Sequence, residues 1–325
     1  MHMFKKKKQR VVALEIDEYI IRAIKMNSAD INESTVYESP MRPNIFEGDI
    51  IRDEMALYEL IKELVELWGM KRHDVRFFVP DSSVMMKSFE HPADIPSAKL
   101  KAYVEMELGR TIHLPFSQPL IDVYDDKEND GEAVLFAAPS EEISKIASLL
   151  NDVTLHPTIA DIRALSTIRF LEKTVGFTKN KSYLMTDWSI AGVSISIYTS
   201  GKLEFLRYQS IDTLFEKWKD TKEGEEVGFH YNGVIDEYRA YLIDQIAEID
   251  RILNFYRFSL YKGEKAVDEI IVLGDSPEMD YIASEMKNNF ITPVKYIDDS
   301  LVRKHHPAFK TKHIPLLGLI YKEAF

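Results

Sequence analysis

Two stretches of the chain place apolar and polar positions in the same way. VVALEIDEYIIRAIKM, from Val11, and SYLMTDWSIAGVSISIYTSGKLEFLRY, from Ser182, each run as an apolar strand, an acidic residue, a short turn and a returning strand. Both predict a β-hairpin. VYESP from Val36 extends the first sheet as far as Pro40. Asp53 then stands where a helix N-cap belongs. Leu57, Leu60, Ile61, Leu64, Val65 and Trp68 recur at three- and four-residue spacing, the stripe of one buried helix face, and Gly69 occupies the left-handed position after its end. VRFFVP from Val75 reads as a short buried strand. Strand, hairpin, helix and strand over residues 11–80 make half of an α/β domain.

From residue 81 to 156 the pattern changes. SSVMMKSFEHPADIP reads as a strand and a proline-bounded loop, and Leu100, Val104 and Leu108 share a helix face. IHLPFSQPLIDVYDD turns at a Pro-aromatic step and runs extended through Ile121 and Val123; EAVLFAAP is a strand, and residues 141–150 are a helix. The prediction is a small α+β subdomain inserted into the first domain, which resumes over 157–181. After the second hairpin, TKEGEEVGFHYNG reads as a loop or irregular hairpin. A long amphipathic helix follows with Tyr238, Leu242, Ile246, Ile249, Leu253 and Tyr256 on one face. DEIIVLGD is a buried strand, 281–288 a helix, PVKYI a strand, and IPLLGLIYKEAF closes the chain. These elements predict a second domain over 182–325, with a helical subdomain at about 210–265.

Composition narrows the picture. The 325 residues are 45% hydrophobic, enough for two cores, and the net charge of −12 argues against nucleic acid as a partner, which requires a basic surface. Without cysteine there is no disulfide, thiolate metal site or cysteine nucleophile. No run approaches the ~18 apolar residues of a membrane span. The acidic balance reverses only in residues 1–10, where Phe4, Lys5, Lys6, Lys7, Lys8 and Arg10 form a basic tail suited to an anionic membrane surface.

A hairpin used twice is how actin-like ATPases grip nucleotide phosphates between two facing halves. Further along the chain, FEHPADIPSAKLKAYVEMELGRTIHLPF, AVLFAAPSEEISKIASLL followed by LHPTIADIRALSTIRF, QIAEIDRILNFYRFS and IPLLGLIY occur in order. Together with the first hairpin, in which Arg22 stands where a lysine is common, these segments resemble the PilM family. Its members are cytoplasmic actin-like components of type IV pilus assembly and relatives of the cell-division protein FtsA. The resemblance implies duplicated ribonuclease H-like domains and a scaffold peripheral to the cytoplasmic membrane. It also implies capture of the short N-terminal tail of a bitopic PilN-like protein, with pilus motor components as further candidate partners. By position, the family's peptide groove falls on Phe77, Val79, Leu100, Val104 and Leu108.

The same resemblance maps the ATP site onto Glu15 and Asp17, Asp187 and Ser189, and Gly274 with Asp275. Glycine in such turns lets backbone N–H groups approach phosphate, so Asp17, Ser189 and Asp275 remove that freedom, and Asp17 adds like charge. The expectation is a pseudo-ATPase with no catalytic residue and no resident cofactor, ATP with Mg being retained only weakly if at all. An FtsA-like polymer would call for a C-terminal amphipathic anchor, and a sugar-kinase-like enzyme for intact phosphate turns. P-loop, GxSxG and HExxH motifs are absent from the sequence, and the His305-His306 doublet reads as two solvated histidines rather than metal ligands.

Overall fold

The computed structural model describes residues 10–322 apart from 49, 128–129, 179 and 225; Phe4 and the lysines at 5–8 lie outside the described residues. In chain order the first half contains β1 (Val11–Ile16), β2 (Ile20–Lys25), β3 (Thr35–Pro40), the short pair β4 (Phe46–Glu47) and β5 (Ile50–Ile51), α1 (Glu54–Leu67) and β6 (Asp74–Phe78). It continues through β7 (Met85–Glu90), α2 (Ser97–Glu107), β8 (Pro119–Tyr124), β9 (Glu132–Pro139), α3 (Ser140–Asp152), β10 (His156–Asp161) and α4 (Arg163–Thr174). The second half contains β11 (Ser182–Trp188), β12 (Gly192–Thr199), β13 (Lys202–Ser210), β14 (Trp218–Glu223), β15 (Glu226–Tyr231) and α5 (Ile235–Asn254). It ends with β16 (Glu269–Gly274), α6 (Met279–Asn289), β17 (Val294–Tyr296), α7 (Asp299–His305) and α8 (Ile314–Tyr321).

Two five-stranded sheets share one plan. The first has the order β3-β2-β1-β6-β10 and the second β13-β12-β11-β16-β17. In each, an antiparallel meander of three strands is followed by two strands parallel to its first member. This is the duplication that the two hairpins announced. Helices α4 and α8 pack between the sheets. Phe170, Leu171, Leu316 and Leu317 share a core there with Ala13 of the first sheet and Met185 of the second. Their crossing is close, because a Cβ on Gly318 would lie 1.8 Å from the carbonyl oxygen of Ser166, and the Ser166 hydroxyl donates to the Pro315 carbonyl at 2.7 Å.

Local signals held where they were local. The Asp53 side chain accepts from the Ala56 amide at 2.8 Å, the whole α1 stripe from Leu57 to Trp68 is buried, and Gly69 has φ +62°. Elsewhere the structure corrects the sequence reading. Helix α3 sends Ile143, Ile146 and Leu150 into the core that α1 fills, so it belongs to the first domain. The remaining extra unit is the sheet β7-β9-β8 with α2, whose Leu100 and Val104 pack with Phe89, Ile121 and Leu135 in a core of their own. The acidic segment after β13 is a regular hairpin, β14 with β15, so the region at 210–265 is mixed rather than helical. Ile252, not Leu253, completes the buried face of α5. His306 is buried, with Nδ1 3.0 Å from Asn32 Oδ1 and Nε2 2.6 Å from the Tyr321 hydroxyl; it ties three segments together where two solvated histidines were expected.

Candidate functional site

The hairpin turns and the turn after β16 converge on the cleft between the sheets, where Asp17, Asp187, Ser189, Gly274 and Asp275 line one cavity. The two hairpin turns consume backbone donors within themselves, and the third bonds its donors to β11. The Asp17 amide donates to the Ile20 carbonyl at 2.9 Å, and the Glu18 amide to the Asp17 carboxylate at 2.7 Å. In the second hairpin the equivalent Ser189 amide donates to the Gly192 carbonyl at 2.8 Å, while the Ser189 hydroxyl accepts from the amides of Ala191 at 3.1 Å and Gly192 at 3.0 Å. At the third turn the amides of Asp275 and Ser276 both donate to the Trp188 carbonyl. Such amides are the groups with which a backbone nest holds phosphate.

Behind the turns lies an ion network that no single motif advertised. Register places Glu15 opposite Arg22 on β1 and β2, and Arg22 opposite Glu38 on β2 and β3. The Arg22 guanidinium, buried at 2% exposure, gives each nitrogen to a different carboxylate: Nη1 to Glu15 at 2.7 Å, Nε to Glu38 at 2.8 Å and Nη2 to Asp275 of the second domain at 3.0 Å. Asp275 also accepts from the buried Tyr19 hydroxyl at 2.7 Å. Glu38 further accepts from Lys312 at 2.7 Å and from the Val227 amide at 2.8 Å. Arg163 reaches Glu15 at 2.6 Å, Asp81 at 3.2 Å and Asp17 at 3.6 Å. Burial alone would push the Glu15 carboxyl up, but Arg163 and Arg22 together hold it below the ordinary value. For Glu38 burial is likewise opposed, here by His313, Arg22 and Lys312, and its carboxyl is held far down.

The second sheet repeats the row with different chemistry, since Asp187, Ser194 and Tyr208 stand opposite one another on β11, β12 and β13. They line a residual cavity of about 70 Å³ with Phe78 and Arg163. Small-molecule sites run to roughly 300–1,000 Å³. A wider hollow of about 630 Å³ opens beyond the Arg22–Asp275 pair, beside Phe229, Ser276, Pro277 and Tyr296. Arg22, Gly274, Asp275, Thr311 and Lys312 border both spaces and so divide the cleft.

Burial pushes the Asp187 carboxyl up to about 7; Arg163 opposes the shift, and Asp81, Asp275 and Glu15 reinforce it. A carboxyl raised by folding makes its full contribution below its unfolded value near 4 and loses it as pH rises through about 7. Glu15 and Glu38 act in the opposite sense, their contribution being present above about pH 4.5 and lost on acidification. Asp187→Asn should therefore stabilise the protein by about 1–2 kcal/mol at pH 8 and change little at pH 4. The full shift corresponds to about 4 kcal/mol, reduced by solvent reaching the carboxyl through the cavity. Urea unfolding at the two pH values checks this, and an equal effect at both would remove Asp187 as the titrating group.

The residues expected to form a partner groove separate. Leu100 and Val104 are fully buried in the core around α2, and Phe77 is buried in the first-domain core. This corrects the assignment of that α2 face to a groove, because the helix uses its apolar stripe to hold its own sheet. Leu108 packs against the same small core. Only Val79 lines the hollow of about 330 Å³ between the first domain and the small sheet. Its other apolar walls are Val84, Leu120, Phe136, Ile143 and Leu165, and Lys101, Asp122, Asp161 and Lys322 stand among them. For the strand residues Leu120 and Phe136 the signal is the face of the small sheet opposite the one that packs on α2, visible once that sheet is known to lie beside the first domain. Leu120 shows it most plainly, at 47% exposure on β8.

Duplicated sheets of one order, facing across a cleft with their hairpin turns inside it, define an actin-like fold. A protein from Bacteroides thetaiotaomicron, described as having an actin-like ATPase fold and unknown function, matches with TM-score 0.54 at 12% identity, over 99% of this chain and 100% of that one. The family model for type IV pilus assembly protein PilM matches residues 13–315, and the chain belongs to that family. A solved structure described as the PilM-PilN type IV pilus biogenesis complex matches with TM-score 0.73 at 16% identity, over 96% of this chain and 98% of that one. No curated protein matches the chain by sequence. No helix among the described residues is long and apolar enough to cross a membrane.

Proposed function

We propose that this protein is a non-catalytic scaffold of type IV pilus assembly, placed on the cytoplasmic face of the membrane. It binds the N-terminal cytoplasmic segment of a PilN-like bitopic partner in the hollow between the first domain and the small sheet. The observation that carries this reading is the hollow itself, apolar on both walls and bounded by β8 and β10, each the terminal strand of its sheet. Terminal strands offer backbone groups to an extended segment, and alternate side chains of that segment enter the apolar walls. The solved PilM-PilN complex, similar over nearly the whole chain, supplies the class of partner.

On this reading the interdomain cleft is a degenerate nucleotide site. What supports it is the set of turn amides already bonded to carbonyls and side chains, and the Arg22–Asp275 pair that separates the wide hollow from the turns. Calorimetry with Mg-ATP should give no saturable heat at micromolar protein; a micromolar Kd or steady phosphate release would overturn this half of the proposal. For the peptide half, Leu120→Asp places charge on an exposed groove position that packs against none of the cores. Affinity for a PilN-like N-terminal peptide should fall more than tenfold, about 1.4 kcal/mol or more. Circular dichroism establishes that the variant is folded, and native affinity in the folded variant would rule out this groove.

A further inference from the structure

Helix α3 has a third face, turned away from the cleft and from the peptide hollow. It presents Ile143 to that hollow and Glu142 with Ile146 to the cleft, and on its outer side forms with α1 a groove of about 780 Å³. The floor is Ile51, Met55 and Tyr58 from the α1 side and Leu149 from α3. Met55 is 66% exposed and the neighbouring Ile50 52% exposed. Ser144 and Ser148, one turn apart and both exposed, leave the α3 wall low enough for another backbone to lie close.

The charges around this groove are unbalanced. Glu54 and Asp152 line it and form no ion pair among the described residues, and Glu141 beside them is mostly exposed. Lys145 is the cation that lines it, and Glu141 and Glu142 share it at 3.1 Å each. Lys62, one turn along α1, stands against Tyr58 with its Nζ 5.6 Å from the ring centroid. Helices α1 and α3 each precede one of two parallel strands, β6 and β10, so they run the same way and Glu54 and Glu141 share one end. Asp152 marks the other end. Between Glu141 and Asp152 the α3 wall is about 17 Å long at 1.5 Å per residue, three turns of helix.

We propose that the α1–α3 groove is a second docking surface, and that its occupant is a cationic amphipathic helix of about three turns belonging to another protein. Its apolar stripe covers Met55, Tyr58 and Leu149, and basic residues at its two ends meet Glu54 and Glu141 at one end and Asp152 at the other. This is helix-in-groove recognition, with anchors at i, i+3, i+4 and i+7 and charge fixing the register.

The test uses the full chain and a synthetic helical peptide carrying leucine at those anchor positions and lysine at both ends. A scrambled peptide and a glutamate-for-lysine version serve as comparisons. Fluorescence anisotropy should show saturable binding of the lysine peptide alone. Met55→Asp, at an exposed position, should weaken it at least tenfold. Glu54→Lys with Asp152→Lys should abolish it and transfer binding to the glutamate peptide. The Leu120→Asp variant should bind the lysine peptide normally, which separates this surface from the PilN-like site. Failure of the lysine peptide to bind, or equal binding by the scrambled peptide or by Met55→Asp, would overturn the proposal. A concentration-dependent dimer in sedimentation that Met55→Asp dissolves would overturn it in favour of a second copy of this chain.

Discussion

Arg22→Met is expected to lower stability by about 3 kcal/mol at pH 7, seen as a fall in the urea midpoint with an unchanged slope. Breaking a buried ion pair from one side costs about 3–5 kcal/mol because the partner charge stays buried. Three partners stay behind here, yet each keeps another contact: Glu15 has Arg163, Glu38 has Lys312, and Asp275 has Tyr19. That places the loss at the lower end of the range. Adding Asp275→Asn should recover part of it, since the double variant no longer leaves that carboxylate charged. Arg22→Lys should fall between, because one ammonium cannot serve three carboxylates along the three directions a guanidinium supplies. A loss below about 1 kcal/mol in Arg22→Met would mean that the network is incidental to the closed cleft.

Gly274→Ala is expected to be at least as damaging, at about 3–5 kcal/mol, and to loosen the pairing of β11 with β16. Gly274 has φ +142°, and a Cβ there would lie 2.0 Å from the carbonyl oxygen and 2.5 Å from the amide nitrogen of Trp188. Backbone strain of about 1–3 kcal/mol adds to an overlap that only strand separation can relieve. Gly109→Ala is the comparison, because at φ +77° its Cβ meets nothing within 4 Å. It should show only the backbone term of about 1–2 kcal/mol. Thermal unfolding of the two variants side by side decides the matter. The geometry also explains why Gly274 is glycine when Asp17, Ser189 and Asp275 are not: its requirement comes from Trp188 and stands whether or not a nucleotide is bound.

How much could be read in the sequence follows from how far each signal reaches. The cap, stripe and terminal glycine of α1 are decided within one helix, and they were legible. The stripes of α2 and α3 were equally visible, but periodicity says that a face is buried and not in which core. The sequence alone therefore leaves Leu100 and Val104 as equally good groove walls, and α3 as equally good a part of the insert, as the core positions they occupy. The turns that meet in the cleft are legible as hairpin and strand-end turns in which Asp17, Ser189 and Asp275 stand. What fills the space was not, because Arg163, Lys312 and Asp275 come from separate segments of the chain. The part within reach was the row Glu15, Arg22 and Glu38, whose alternating charges on adjacent strands follow from hairpin register alone. His306 was misread because its partners, Asn32 and Tyr321, lie on other elements.

The bonds that the hairpin-turn amides already make have a consequence in terms of mass action. At these amides an incoming phosphate would compete with acceptors on the same or neighbouring residues, such as the Asp17 carboxylate for the Glu18 amide and the Ser189 hydroxyl for the amides of Ala191 and Gly192. A tethered acceptor acts at an effective concentration fixed by its few bonds of freedom, and for well-oriented groups that figure lies far above anything a dissolved ligand attains. On the proposed reading of the cleft, the two hairpin turns carry their own ligand, and the domain geometry they set should be the same in a cell rich in ATP as in one that is starved of it.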